Sequence, residues 1–92
     1  MHYLYILYSK SLDKYYVGET SDITQRLNQH FSRFYKGSYT SQTDDWEKKL
    51  VIEFSTINQA RKAEIFIKKM KSRKFIERLI DDSIWLKEKF NN

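Results

Sequence analysis

Between Tyr3 and Thr20 the chain reads YLYILYSKSLDKYYVGET. Two runs rich in aromatic and β-branched residues, Tyr3–Tyr8 and Tyr15–Glu19, flank a polar connection, Ser9–Lys14. Residues of this kind favour a pleated, half-buried surface, and the short connection makes the two runs a pair of strands. Side chains alternate along a strand, so Tyr3, Tyr5 and Leu7 share one face while Leu4, Ile6 and Tyr8 share the other. On the second run Tyr16 and Gly18 face one way, and Tyr15 and Val17 the opposite way. The hairpin therefore brings Tyr5 and Tyr16 onto a common surface. Gly18 is expected to leave an open space beside them, where a ligand can lie.

After the hairpin, Ser21 or Asp22 caps a helix, and Asp22 with Gln25 three residues on resembles a capping box. This helix is expected to run to about Arg33, with Ile23, Leu27, Phe31 and Phe34 as its apolar stripe. Arg26, His30 and Arg33 form the neighbouring stripe, at the edge of the buried face. The segment Phe34–Asp45 is polar and reads as a loop, long for so small a domain, and such loops often carry function. Trp46–Phe54 alternates, with Leu50, Ile52 and Phe54 on one side, and reads as a third strand. Asn58 is the expected cap of a second helix ending near Lys71, with Ala60, Ala63, Ile67 and Met70 inward and Glu64 on the flank. Ser72 caps a third helix with Phe75, Ile76, Leu79 and Ile80 inward, continuing past a bend near Asp81–Ser83 through Trp85, Leu86 and Phe90. The fold class is α+β: a small three-stranded antiparallel sheet flanked by helices, in β-β-α-β-α-α order, as a single domain over residues 1–92.

A chain of 92 residues buries roughly 60–70% of its unfolded surface, so its core has to be compact. It contains no cysteine, which excludes disulfides and thiolate zinc sites and fits a reducing, cytoplasmic setting. No apolar stretch approaches the ~20 residues of a membrane span, and the first apolar run does not read as a signal peptide. Seventeen Lys and Arg against twelve Asp and Glu give a formal charge of +5. Between Arg61 and Arg78 the bases Arg61, Lys62, Lys68, Lys69, Lys71, Arg73, Lys74 and Arg78 meet only Glu64 and Glu77. That run suits a polyanionic partner, and it suits a merely solvated helix surface as well.

Taken in order, Tyr3-Leu4-Tyr5, Tyr16-Val17-Gly18, Arg26 and His30 on the next helix, and Glu64 on a later one resemble the GIY-YIG nuclease family. The similarity runs from Tyr3 to about Leu79. In particular it resembles the small stand-alone members related to the amino-terminal catalytic domain of the DNA-repair endonuclease subunit UvrC. Tyr3 and Leu4 stand where the first motif has glycine and isoleucine, and Val17 stands where the second has isoleucine. Asn91 and Asn92 lie too far along to match an asparagine found in some members, which leaves part of the phosphate or metal environment without a counterpart.

The resemblance implies a metal-dependent endonuclease hydrolysing phosphodiester bonds in DNA. Such chemistry needs a deprotonated nucleophile and stabilisation of charge on the phosphoryl and leaving oxygens. By resemblance, Tyr5 holds the attacking water and serves as its general base, with His30 as the rival base or its partner. A phenol titrates near ~10 when unperturbed, so a nearby cation has to favour its ionised form. Arg26 supplies a permanently charged planar fork for phosphate, and Tyr16 a hydrogen bond. Glu64 binds one divalent ion, Mg²⁺ or Mn²⁺, with Glu19 and Glu53 as rival ligands. Arg33, Lys36, Tyr39, Lys68 and Lys71 are the expected nucleic-acid contacts. Each residue also has a plain structural reading, as strand packing, helix edge or i, i+4 ion pair.

Two other readings use the same residues. A non-catalytic nucleic-acid-binding module needs only the basic helices and loop aromatics, and a protein-interaction domain would use Phe34, Tyr35 and Trp85. A chain this short is expected to leave no room for a targeting domain, and a homodimer or an accessory targeting protein is the expected partner beside nucleic acid. The residues leave open DNA against RNA and any preference for strand or structure.

Overall fold

A computed structural model describes residues 1–31, 43 and 45–90, with positions 30 and 31 described as helix backbone only. The order is β1 (His2–Ser9), β2 (Lys14–Thr20), α1 (Ile23–Phe31), β3 (Trp46–Phe54), α2 (Ile57–Met70), α3 (Arg73–Asp81) and α4 (Ile84–Phe90). The strands form one antiparallel sheet in the order β2-β1-β3. None of the described helices is long and apolar enough to cross a membrane.

The central strand explains the layering. Leu4, Tyr5, Ile6 and Leu7 are all fully buried. Alternation sends them to opposite faces, so both faces must be covered. On one face Leu4, Ile6, Val17, Ile52 and Phe54 pack with Ala60, Ala63 and Ile67 of α2, Leu79 of α3 and Leu86 of α4. On the other, Tyr5, Leu7 and Trp46 pack with Tyr16 and with Ile23 and Leu27 of α1. The sheet thus separates a larger aliphatic core from a smaller aromatic one.

Trp46 reaches the aromatic side through a bulge. Ile6 pairs with Leu50 but Leu7 pairs with Lys48, so Lys49 is an extra residue in β3. Strict period-two alternation puts Trp46 on the same face as Leu50; the extra residue reverses the parity.

The helix boundaries differ from the sequence expectation in three places. Helix α2 is capped by Thr56, not Asn58: the Thr56 hydroxyl accepts from Gln59 N, and the Gln59 carbonyl accepts from the backbone N–H of Thr56, a reciprocal capping box. Met70 ends that helix at 45% exposure and is not part of the core stripe, because the chain turns at Lys71 in the left-handed region (φ 47°). The last stretch is two helices, α3 and α4, divided at extended Asp82. Ser72 caps α3 as expected, accepting from Phe75 N at 3.1 Å, and Asp22 accepts from Gln25 N at 3.0 Å at the start of α1. The expected continuation of α1 to Arg33 and the loop aromatics Phe34 and Tyr35 lie outside the described residues.

Two polar clusters hold the hairpin turn. The buried Ser9 hydroxyl donates to Asp45 at 2.6 Å, and Ser11 N donates to the other Asp45 oxygen at 2.8 Å. With the Thr43 hydroxyl at 2.9 Å, these bonds hold the Asp45 carboxyl well below the usual carboxylate range, the Ser9 bond contributing most. At the far end of the turn Asp13 sits at φ 53°, and its carboxylate meets the Arg73 guanidinium at 2.6 Å and the Tyr8 hydroxyl at 2.5 Å. Arg73 also lies over the Tyr15 ring, 5.5 Å from its centroid. This clasp ties the β1–β2 turn to the start of α3.

Hydrogen bonds from Arg73, and then from Tyr8, hold the Asp13 carboxyl at about 2. A depressed carboxylate contributes stability that is complete above its unfolded value, about 3.9, and is lost as pH falls through the folded one. Asp13→Asn keeps a residue that tolerates positive φ and removes the charge. The wild-type chain should melt higher than this variant at neutral pH, and the difference should close between about pH 4 and about pH 2 in thermal unfolding. A difference that is constant across that window would remove the ion pair from the account.

Candidate active site

The parity expected for the hairpin is the one found. Tyr5 pairs with Gly18 and Leu7 with Tyr16, so the two tyrosines share the aromatic face. Their ring centroids are 6.2 Å apart with planes tilted by 39°. Trp46 meets Tyr16 edge-on at 6.3 Å. Ile23 and Leu27 bring α1 down onto this cluster. Arg26 lies on the same helix at intermediate burial, next to Leu27.

The open space expected beside Gly18 is not there. A Cβ on Gly18 would lie 2.5 Å from the Tyr5 hydroxyl oxygen and 2.6 Å from its Cζ. The phenol therefore occupies the volume that any side chain at position 18 would need. Glycine is required here for close approach across the strand pair and not for an unusual backbone angle. Tyr5 is 0% exposed, enclosed by the packing of the aromatic core. Tyr16 is half-buried and keeps contact with solvent.

Glu64 belongs to a different layer. Its helix packs through Ala60, Ala63 and Ile67 on the aliphatic side of the sheet. The Glu64 side chain is 20% exposed, and its carboxylate pairs with Lys68 at 3.4 Å, one turn along. Of the rival carboxylates, Glu19 is engaged by the His2 ring and by Arg61 at 3.7 Å, and Glu53 sits opposite Tyr3 in the sheet, partly buried. Among the described residues there is no cluster of three or more His, Cys, Asp or Glu side chains fit to cage a metal.

The structure thus brings Tyr5, Tyr16 and the Arg26 helix together and leaves Glu64 on the helix behind the sheet. The His30 side chain and all of Arg33, Lys36 and Tyr39 lie outside the described residues. Lys71 is exposed at the left-handed turn after α2. Every base between Arg61 and Arg78 is exposed. Three of them are engaged locally: Arg61 with Glu19, Lys68 with Glu64, and Arg73 with Asp13 and Glu77. Sequence reasoning passed over Trp46 as a site neighbour, because only the bulge at Lys49 carries it there.

Residues 1–77 match the family model of the GIY-YIG catalytic domain. The chain belongs to that family. The match spans both tyrosine motifs, α1 and Glu64. Among solved structures, the chain is similar to the solution NMR structure of the UPF0213 protein BH0048 from Bacillus halodurans. The two are 29% identical with a TM-score of 0.56, over 87% of this chain and 82% of that one. No curated protein matches. In this GIY-YIG domain the glycine of the second motif has a visible physical task, which is to leave room for the tyrosine of the first.

Gly18→Ala tests that task. Overpacking of this kind should cost about 1–3 kcal/mol in denaturant unfolding. The cost should fall in a Tyr5→Leu background, where the outer ring atoms and hydroxyl are gone. An equal cost in both backgrounds would contradict the packing account.

Proposed function

We propose that this GIY-YIG domain is a metal-dependent endonuclease that hydrolyses phosphodiester bonds in DNA by direct attack of water. The observation that carries the reading is the pairing of the two motif tyrosines, 6.2 Å apart, beneath the helix that bears Arg26. In this reading Tyr16 and Arg26 meet a phosphate first, the phenol by hydrogen bond and the guanidinium as a permanently charged fork. Tyr5 accepts the proton of the attacking water, or passes it to His30. Since Tyr5 is enclosed, its cover has to open for water to reach the hydroxyl, and substrate binding is the natural trigger.

The donor set fits one hard divalent ion, Mg²⁺ or Mn²⁺, with Glu64 as its protein ligand. Such an ion keeps several waters and takes substrate oxygens, so one carboxylate suffices. When bound, it stabilises charge on the phosphoryl and leaving oxygens. Glu64 needs to be accessible for this, and at 20% exposure it is. Lys68 and Lys71, with Arg33, Lys36 and Tyr39, would hold the nucleic-acid backbone. A cytoplasmic setting, a part in DNA repair, and action as a homodimer or with an accessory targeting protein belong to the same proposal.

The enclosure of Tyr5 favours a second reading, a nucleic-acid-binding module on the same scaffold that performs no hydrolysis. Both readings give affinity that falls as salt rises, because phosphate binding releases counterions. Turnover separates them.

Supercoiled plasmid incubated with the chain should be nicked with Mg²⁺ or Mn²⁺, and EDTA or Glu64→Ala should abolish nicking. Tyr5→Phe keeps the ring that fills the Gly18 space. It should therefore fold and bind DNA while losing cleavage by about 10²-fold or more. Nicking at the wild-type rate in Tyr5→Phe would end the general-base role, and no metal-dependent nicking by the wild-type chain would select the binding module.

A further inference from the structure

The charge next to Glu64 bears on how the site is loaded. Lys68 stands one helical turn after Glu64, its ammonium nitrogen 3.4 Å from a carboxylate oxygen. The Glu64 side chain is partly buried and keeps 20% of its surface exposed, while the lysine side chain is 55% exposed. Glu64 therefore has a cation beside it already, and that cation is held on a flexible four-carbon stem with room to swing away. A divalent ion on the same carboxylate meets a like charge at close range.

We infer that Lys68 is a resident counter-ion of Glu64, which a divalent metal has to displace, and that it thereby sets the metal affinity of the site. The inference rests on the assignment of Glu64 as metal ligand. Lys68 is a positioning residue in this scheme, acting through the carboxylate it holds. In the unloaded chain it offsets the charge of a partly buried carboxylate on the flank of the α2 core stripe. On loading, its ammonium moves into solvent. An i, i+4 pair is weak in water, so displacement is easy, and its effect on affinity is correspondingly moderate.

Mn²⁺ binding to the chain without nucleic acid, followed by the electron paramagnetic resonance signal of the free ion, tests this apart from activity. Lys68→Gln should bind Mn²⁺ about three- to tenfold more tightly than wild type, as removal of a neighbouring like charge requires. Lys68→Arg restores the charge and should return the affinity to within about twofold of wild type. Glu64→Gln should lose binding. Thermal unfolding of the same variants reports any purely structural role, which would shift melting and leave Mn²⁺ affinity alone. Unchanged or weaker binding in Lys68→Gln, with binding lost in Glu64→Gln, overturns the counter-ion role only. Equal binding by wild type and Glu64→Gln overturns the Glu64 assignment and this inference with it, and no binding by wild type overturns this inference, which concerns the chain without nucleic acid.

Discussion

The Tyr5 ring lies where a side chain on Gly18 would have to be, and much of the molecule follows from that contact. Tyr5 is in the central strand, so filling the Gly18 volume seals the aromatic face from within the sheet. Tyr16 then stacks beside it, Trp46 closes against Tyr16, and Ile23 and Leu27 seat α1 above them. A larger residue at position 18 would push the phenol outward and lift the helix that carries Arg26. The two halves of the family's name-giving motif are thus one packing unit, formed across neighbouring strands.

The sheet also divides the proposed labour. The aromatic side gathers the two tyrosines beneath the helix that bears Arg26, and the proposal gives these groups phosphate binding and proton movement. The aliphatic side carries α2, which bears the carboxylate and the exposed bases. The second layer is fixed to the hairpin at a distance: Arg73 at the start of α3 grips Asp13 in the turn and stacks over Tyr15. That clasp sets α3 against the same strands that carry the tyrosines, and α2 shares the core beneath them. It is built from exposed charges, so its strength depends on pH and salt more than the apolar layers do.

Much of this was legible in the sequence, and the exceptions have identifiable causes. Alternation alone placed Tyr5, Tyr16 and Gly18 on one face, because a paired strand allows only two faces. Ser72 and Asp22 announced their helices by cap chemistry. Asn58 misled because Thr56, two residues earlier, finds in Gln59 the partner for a full capping box. Trp46 misled because the extra residue at Lys49 is invisible in a run that alternates cleanly on paper. The fate of the space beside Gly18 was also hidden: composition shows that a glycine leaves room, and only packing shows that Tyr5 takes it. The Asp13–Arg73 clasp joins residues sixty positions apart, beyond any local signal.

The central claim is that phenol, guanidinium and carboxylate, split between two layers in the isolated chain, serve one phosphate. A crystal structure of the chain with a short DNA duplex and Ca²⁺, an ion that occupies oxygen sites, tests it most directly. The account predicts a backbone phosphate against Tyr16 and Arg26, the Tyr5 hydroxyl opened toward it, and the ion bound by Glu64. A duplex lying on the exposed bases of α2 and α3, with Tyr5 still enclosed and no ion at Glu64, would contradict it.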